Sequence, residues 1–248
     1  MHPVLFQIGN FKIYSYGFMV ALGFLAAAYL TSTEAKRKGI HPEKIFDIYL
    51  YAMIFGIIGA RLLHVVLEIG YYSKHPLDII MINHGGLAFQ GGLIAGIFAA
   101  RLVIKKRGLP LLNTADMIIP YVALAQSIGR IGCLLNGCCY GVPSNLAIAI
   151  YSTEHRRALH PTQLYLSIFF LITFIALKKI YENKKTDGIV FAWYLLIFSA
   201  GSFFIDFLRG DLAPVFFDLK TSQLISLAIF FVSLVMLVTL KWKTTRSR

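Results

Sequence analysis

Charged residues are scarce in this chain of 248 residues. Only 15% of the residues are Asp, Glu, Lys or Arg, whereas 57% are hydrophobic, and the mean hydropathy is +0.68. A chain of this size cannot bury so much apolar surface in one water-soluble core. The composition therefore excludes an ordinary water-soluble globular protein and predicts that a lipid bilayer surrounds the chain.

Acidic residues are scarcer still, with 12 Asp and Glu against 24 Lys and Arg, which gives a formal net charge of +12. In a soluble protein this excess would indicate nucleic-acid binding. Here the basic residues lie in short clusters between apolar runs, a pattern typical of cytoplasmic loops. We therefore expect no nucleic-acid partner.

Cysteines are few and confined to one short segment. The chain has three, Cys133, Cys138 and Cys139. Cys138 and Cys139 are adjacent and too close for an ordinary disulfide bridge, and no evenly spaced disulfide framework exists. The pattern favours small packing residues over metal or redox chemistry, so we expect neither a bound metal nor a cofactor.

Long apolar runs are abundant. A helix needs roughly 17 to 25 residues to cross a hydrocarbon core. Seven runs approach or meet that length, near residues 14–33, 45–67, 86–104, 115–136, 163–180, 189–208 and 221–240. The sequence therefore predicts an all-α integral membrane protein of about seven transmembrane helices, forming a single membrane domain over residues 1–248.

The distribution of basic residues predicts the orientation of these helices. Sixteen of the 24 Lys and Arg residues lie in one alternating set of flanks and six in the other. Cytoplasmic flanks retain positive charge, so the N-terminus is predicted outside and the C-terminus inside. In the first run the charge follows the apolar residues, which indicates a membrane helix and not a cleaved signal peptide.

Polar residues recur at one predicted depth, near the outer ends of six helices. Those residues are Tyr16, Arg61, His64, Gln90, Arg130, His160, Gln163, Tyr165, Asp206 and Arg209. Buried charges in membranes usually pair or line a substrate cavity, although an arginine can also snorkel to headgroups and Asp206 can neutralise an arginine. Arg130, in the string Gly-Arg-Ile-Gly, suits a phosphate or carboxylate because its planar fork donates two parallel hydrogen bonds. The pattern indicates an outer-leaflet site for an anionic amphiphile.

Six motifs occur in order along about 80% of the chain. They are Tyr14-Ser-Tyr16-Gly17, Gly59-Ala-Arg61, the glycine-rich 85–96 with Gln90, Gly129-Arg130-Ile-Gly-Cys-Leu-Leu-Asn136-Gly-Cys-Cys-Tyr140-Gly141, His160-Pro-Thr-Gln-Leu-Tyr165 and Asp206-Phe-Leu-Arg209-Gly-Asp211. With them the sequence resembles the prolipoprotein diacylglyceryl transferases, bacterial enzymes that transfer diacylglycerol from phosphatidylglycerol to a cysteine thiol of exported lipoprotein precursors.

The resemblance implies the same activity and partners for this chain. The partners would be phosphatidylglycerol, other membrane lipid and a prolipoprotein signal peptide with its lipobox cysteine, at the outer leaflet of the bacterial plasma (inner) membrane. The candidate catalytic residues within these motifs are Tyr16, Arg130, Asn136, His160 and Asp206. Candidate substrate-binding residues are Arg61, Gln90, Arg130, Gly141 and Arg209.

Several positions differ from the family pattern. Gln90 stands where familiar members have a histidine proposed as the base, and Ser202, Leu166 and Cys138 replace charged residues. Two histidines are candidates for proton transfer near neutral pH, His84 before the glycine pair and His160 at the start of the fifth long helix. Either residue also has an ordinary structural interpretation.

Two other functions remain compatible with the sequence. The chain could be a divergent family member that uses another acceptor or binds lipid without catalysis. It could also be a transporter, but transporters usually place charges at the membrane midplane, often within inverted repeats, and no repeat is visible.

Overall fold

The computed structural model describes residues 2–9, 11–81, 85–152 and 155–246. Within these ranges the chain is mainly helical. Its eight α-helices are α1 (Ser15–Arg37), α2 (Pro42–Leu67), the short α3 (Ile69–Tyr72), α4 (Phe89–Lys106), α5 (Leu111–Asn136), α6 (Thr162–Glu182), α7 (Ile189–Phe207) and α8 (Thr221–Arg246). A 3₁₀-helix spans Pro76–Ile80.

In the described part of the chain, three small antiparallel hairpins precede helices. They pair β1 (Val4–Ile8) with β2 (Phe11–Tyr14), β3 (Ile150–Ser152) with β4 (Arg157–Leu159), and β5 (Pro214–Phe216) with β6 (Leu219–Lys220). Each hairpin directly precedes α1, α6 or α8, so the hairpins lie at the ends of those helices that begin near the predicted polar site.

All seven predicted apolar runs coincide with long helices, which confirms the all-α class. Six of them, all but α4, are long and apolar enough to cross a membrane. The helix α4 has 18 residues and includes Arg101, Lys105 and Lys106. The number of crossings and the orientation stay predictions.

Large apolar side chains face outward along the helices. Tyr29 is 72% exposed, and Ile94 and Phe204 are each 69% exposed. In water such a surface would cause aggregation, whereas lipid tails solvate it without cost. The exposed faces therefore agree with an integral membrane protein.

The chain divides into two compact units. The first unit comprises Met1–Leu30 and Ala115–Arg248, and the second comprises Thr31–Thr114. This division does not decide whether the chain forms the single membrane domain that was predicted, which stays a prediction.

Glycines hold α2 and α4 together in the second unit. A Cβ atom added to Gly59 would lie 2.7 Å from the carbonyl oxygen of Gly91, and one added to Gly92 would lie 3.0 Å from that of Gly56. The two backbones approach so closely because these positions carry no side chain. The glycines at these positions therefore serve close packing of the two helices.

Polar anchoring holds α5 against α7 at the other end of the first unit. Asp116 is fully buried, and its carboxylate accepts hydrogen bonds from the backbone N–H groups of Gly188 (2.8 Å) and Phe191 (2.9 Å). Lys184 Nζ donates to the same carboxylate at 3.0 Å. A carboxylate at the first turn of α7 satisfies amides that have no partner within the helix and complements the helix dipole.

Candidate active site

Most of the candidate site residues lie in the first unit, at the ends of helices. Tyr16 begins α1, Asn136 ends α5, His160 precedes α6, and Asp206 lies in the last turn of α7. Arg130 lies six residues before the end of α5. Two of the candidate substrate-binding residues, Arg61 and Gln90, belong to the second unit, which is described separately below.

Close helix packing brings Tyr16 near Arg130. A Cβ atom on Gly132 would lie 2.9 Å from the Cβ atom of Met19 and 3.3 Å from the Cα atom of Tyr16, so α5 can approach α1 only with glycine there. Tyr16 lies within electrostatic range of the Arg130 guanidinium. The tyrosine is 45% exposed and therefore accessible to a ligand.

Arg130 is half-buried and differs from the other candidate arginines in its partners. Within the described ranges, no hydrogen bond or ion pair joins its guanidinium to another group of the protein. Its donors therefore remain available for a ligand, and a planar fork of this kind matches the oxygens of a phosphate. The competing interpretation, a pair with Asp206, is not what the described residues form.

Asp206 pairs with Arg209 instead. The Asp206 carboxylate, in a residue that is 3% exposed, lies 3.5 Å from one terminal nitrogen of Arg209. Arg209 also donates two hydrogen bonds to Asp211, at 2.9 and 2.7 Å. Burial lowers the pKa of Arg209, but the hydrogen bonds to Asp211 and its charge outweigh that effect and leave the pKa raised.

Three chain segments meet around Gly141. Its N–H donates to the carbonyl of His160 (3.0 Å), and the N–H of Val142 donates to the carbonyl of Leu208 (2.8 Å). The backbone of Gly141 also forms an isolated antiparallel β-bridge with that of Arg209. A Cβ atom on Gly141 would lie 2.9 Å from the carbonyl oxygen of Leu208. Glycine is therefore required where the chain after α5 runs between the segments that precede α6 and follow α7.

His160 is oriented by two kinds of contact. Its backbone bonds to Gly141 and Val142, and its Nδ1 lies 3.2 Å from the hydroxyl of Tyr165, one turn into α6. The imidazole is half-buried, so its position is fixed while solvent still reaches it. His84, the other candidate base, lies outside the described residues.

Three residues that were not among the predicted catalytic or substrate-binding residues, Thr162, Gln163 and Lys220, hold this region together. Thr162 Oγ1 donates to the carbonyl of Cys139 and Gln163 Nε2 to that of Cys138, both at 2.7 Å. Lys220 Nζ donates to the backbone carbonyls of Asp206 and Arg209, and burial lowers the pKa of this lysine. Thr162 and Gln163 belong to a quoted motif, which was the available signal, whereas Lys220 was counted only as a loop charge.

Arg61 has a different environment in the second unit. It is 7% exposed, and its guanidinium, which has five N–H donors, donates hydrogen bonds to five acceptors. The acceptors are the backbone carbonyls of Asp78, Ile79, Met81, Gly85 and Gly86. The guanidinium thus clamps the segment between α3 and α4, and its predicted substrate binding stays a prediction.

Gln90 lies in the first turn of α4 and is exposed. An amide cannot take the proton that a histidine could, so Gln90 can contribute hydrogen bonds only. Its predicted role in substrate binding also stays a prediction.

Comparisons with known proteins cover nearly the whole chain. The sequence model of the family described as "Prolipoprotein diacylglyceryl transferase" matches residues 3–239. A Clostridium tetani protein named "Phosphatidylglycerol--prolipoprotein diacylglyceryl transferase" is 41% identical over 234 residues, which cover 92% of this chain and 93% of that protein. Proteins of the same name from Finegoldia magna and Staphylococcus haemolyticus are 35% and 33% identical, covering 100% and 95% of this chain and 99% and 87% of theirs.

Proposed function

Since the chain belongs to the prolipoprotein diacylglyceryl transferase family, we propose that it transfers a diacylglyceryl group from phosphatidylglycerol to the cysteine thiol of prolipoproteins. Arg130 carries the proposal. It is a half-buried cation within a membrane helix, beside Tyr16, and has no protein partner among the described residues. A charge in that position needs a counter-ion, and a lipid phosphate supplies one.

The proposed reaction is a displacement at a glycerol carbon. The substrate thiol loses its proton, its sulfur forms a bond to the glycerol carbon of the diacylglyceryl group, and the carbon–oxygen bond to glycerol phosphate breaks. Arg130 stabilises the negative charge that grows on the leaving phosphate, because its donors are preorganised. His160, held by Tyr165 and Gly141, is the proposed acceptor of the thiol proton.

The other candidates support these two residues. Asp206 and Arg209 neutralise each other and, with Gly141, fix the three-segment junction that positions His160. Tyr16 lies within electrostatic range of Arg130, Asn136 ends the same helix as Arg130, and both side chains can donate hydrogen bonds to substrate oxygens. Substrate binding by Arg61 and Gln90 is proposed only from the family motifs.

We place the reaction at the outer leaflet of the bacterial plasma membrane, with the lipobox cysteine of the signal peptide as acceptor. The split of basic residues supports an outward site. Labelling intact cells with an impermeant thiol reagent tests the orientation, using a cysteine-free protein with Thr245→Cys or Leu77→Cys. Labelling is expected at Leu77→Cys only, and labelling at Thr245→Cys would reverse the orientation.

Mass spectrometry tests the activity directly. The purified protein is incubated with phosphatidylglycerol and a lipobox peptide, and the peptide is expected to gain one diacylglyceryl group. A matched peptide with serine in place of cysteine should gain nothing, and Arg130→Gln protein should transfer the group much more slowly than the wild type. Lipid binding by the folded wild type without any transfer would contradict the proposal and favour a binding role.

A further inference from the structure

The three cysteines converge on one point at the end of α5. Their Sγ atoms all lie within 4.8 Å of one another, although the residues occupy positions 133, 138 and 139. Cys133 is 7% exposed, whereas Cys138 and Cys139 are half-buried. Three sulfur atoms so close together exceed what packing by small apolar residues requires.

A strained turn produces this convergence. Gly137 has φ +83° and Cys139 has φ +59°, so two residues of the turn adopt the left-handed conformation. The conformation costs glycine little but is unfavourable for cysteine. It folds the chain back so that Cys138 and Cys139 face Cys133 on the last turns of the helix.

Side chains of α6 hold the turn in this form. The carbonyls of Cys138 and Cys139 accept the hydrogen bonds from Gln163 and Thr162 described above. The Cys138 thiol also donates a hydrogen bond to the backbone carbonyl of Cys133, with a sulfur–oxygen distance of 3.8 Å. The thiol positions are thus set by the backbone and by neighbouring groups before any ligand arrives.

We propose that Cys133, Cys138 and Cys139 form a binding site for a soft, thiolate-preferring divalent cation, with Zn²⁺ as the physiological candidate. Zn–S bonds of about 2.3 Å place tetrahedral sulfur ligands about 3.8 Å apart, so the three thiols need to close by no more than about 1 Å. Thiolates are the ligands such cations prefer.

The binding step balances without a redox partner. Three thiol protons leave to solvent, three sulfur–metal bonds form, and the complex of a divalent ion carries one negative charge. Arg209 lies within electrostatic range of Cys139 and offers the compensating positive charge. Because Cys138 and Cys139 are half-buried, water can take the fourth position on the metal.

A disulfide explains the arrangement less well. A bond between two of the sulfurs would require them to approach to about 2.05 Å and would leave the third without a function. A single cation uses all three thiols and a smaller movement. Tyr16 lies within electrostatic range of all three cysteines, so an ion bound there would lie beside the proposed reaction centre.

Cadmium titration of the purified, reduced and chelator-treated full-length protein tests the site. One Cd²⁺ per chain is expected, with the ultraviolet sulfur-to-cadmium absorption of three thiolates and displacement by Zn²⁺. The chain has no other cysteine. The triple variant Cys133→Ser, Cys138→Ser, Cys139→Ser should therefore lose the sulfur-to-cadmium absorption and bind Cd²⁺ at least about 100-fold more weakly. The double variant Cys138→Ser, Cys139→Ser, which alters only the half-buried thiols, gives the same test if the triple variant is unstable.

Three results of the cadmium titration would overturn the proposed site. Equal Cd²⁺ affinity in the double or triple variant would place the ion elsewhere, and absorption from two thiolates or fewer would reject the three-sulfur site. A folded, fully reduced wild type that binds no Cd²⁺ would also reject it.

A second measurement links the site to the proposed function. Cd²⁺ is expected to inhibit phosphatidylglycerol turnover by the wild type but not by the triple variant, which should itself keep most activity. Only this part depends on the proposed function, because absorption and stoichiometry are read without any turnover. Inhibition that persists in the triple variant would show that the cysteine site does not control the reaction.

Discussion

Arg61 and Arg130 are the same residue type in similar local sequences, yet the structure gives them opposite environments. Arg61 follows Gly59 and Ala60 near the end of α2, and Arg130 stands between glycines near the end of α5. All five donors of Arg61 are used by backbone carbonyls, whereas the Arg130 guanidinium has no partner among the described residues. Position in a helix therefore does not distinguish a structural arginine from one available to a ligand, but the partners do.

Removal of Arg61 should have the largest effect, and the effect should be on stability. Arg61→Met leaves five backbone carbonyls without their donor, at an expected cost of about 3 kcal/mol or more in the free energy of unfolding. Thermal unfolding in detergent measures it, with Arg101→Met, an exposed arginine of α4, as the matched control.

The opposite result would reverse the assignment of Arg61. A protein with Arg61→Met that is as stable as the wild type but cannot turn over phosphatidylglycerol would return this arginine to the substrate-binding group.

Substitution of Arg130 should affect the rate and leave stability almost unchanged. Lysine keeps the charge but cannot form two parallel hydrogen bonds, so Arg130→Lys is expected to lower turnover roughly thirtyfold, about 2 kcal/mol in the activation barrier. Arg130→Gln should be slower still. Stability should change by less than about 0.5 kcal/mol because no described protein partner is lost.

Two results would break the contrast between the arginines. Wild-type turnover in Arg130→Lys would remove Arg130 from the catalytic group. Rescue of Arg130→Gln by Asp206→Asn would mean that the two residues form a structural pair after all.

Arg209 lies between these extremes and should show the smallest effect. Its two hydrogen bonds go to Asp211, and the two side chains are 13% and 19% exposed. Asp211→Asn should lower stability by about 1 kcal/mol, because Arg209 keeps Asp206 and partial contact with water. Asp218→Asn, at an exposed aspartate in the same connection, is the control, and a loss above about 3 kcal/mol would place Arg209 with Arg61.

The sequence predicted the helices well because each apolar run has one dominant physical requirement, the thickness of a bilayer. Predicted and observed ends differ most at the end of α8, predicted near 240 and observed at Arg246. They differ by four residues at the end of α1, predicted near 33 and observed at Arg37, and at the start of α5, predicted near 115 and observed at Leu111. Polar residues at these ends satisfy helix geometry as well as loop geometry, so hydropathy cannot locate them. The small hairpins lie outside the apolar runs, where hydropathy gives no signal, so they were not predicted.

The partners of the site residues were harder to predict. Arg61 is held by backbone carbonyls, and every residue type carries one, so no sequence signal marks them. The cysteine cluster depends on the left-handed backbone conformation of Cys139. This conformation is unfavourable for cysteine, so the sequence gives no reason to expect it. Four residues from the family motifs, Gly141, His160, Asp206 and Arg209, do meet in the first unit, and their roles stay predictions.

The anchoring of Asp116 has a consequence for the order in which the chain is made. This aspartate is synthesised 68 residues before Lys184 and 72 before Gly188, the groups that later bind it. Until α7 leaves the ribosome, the nascent α5 carries an unpaired carboxylate that disfavours insertion of this helix into the bilayer. Assembly of the first unit therefore waits for its second half, and a chain truncated before residue 184 should remain a substrate for membrane quality-control proteases.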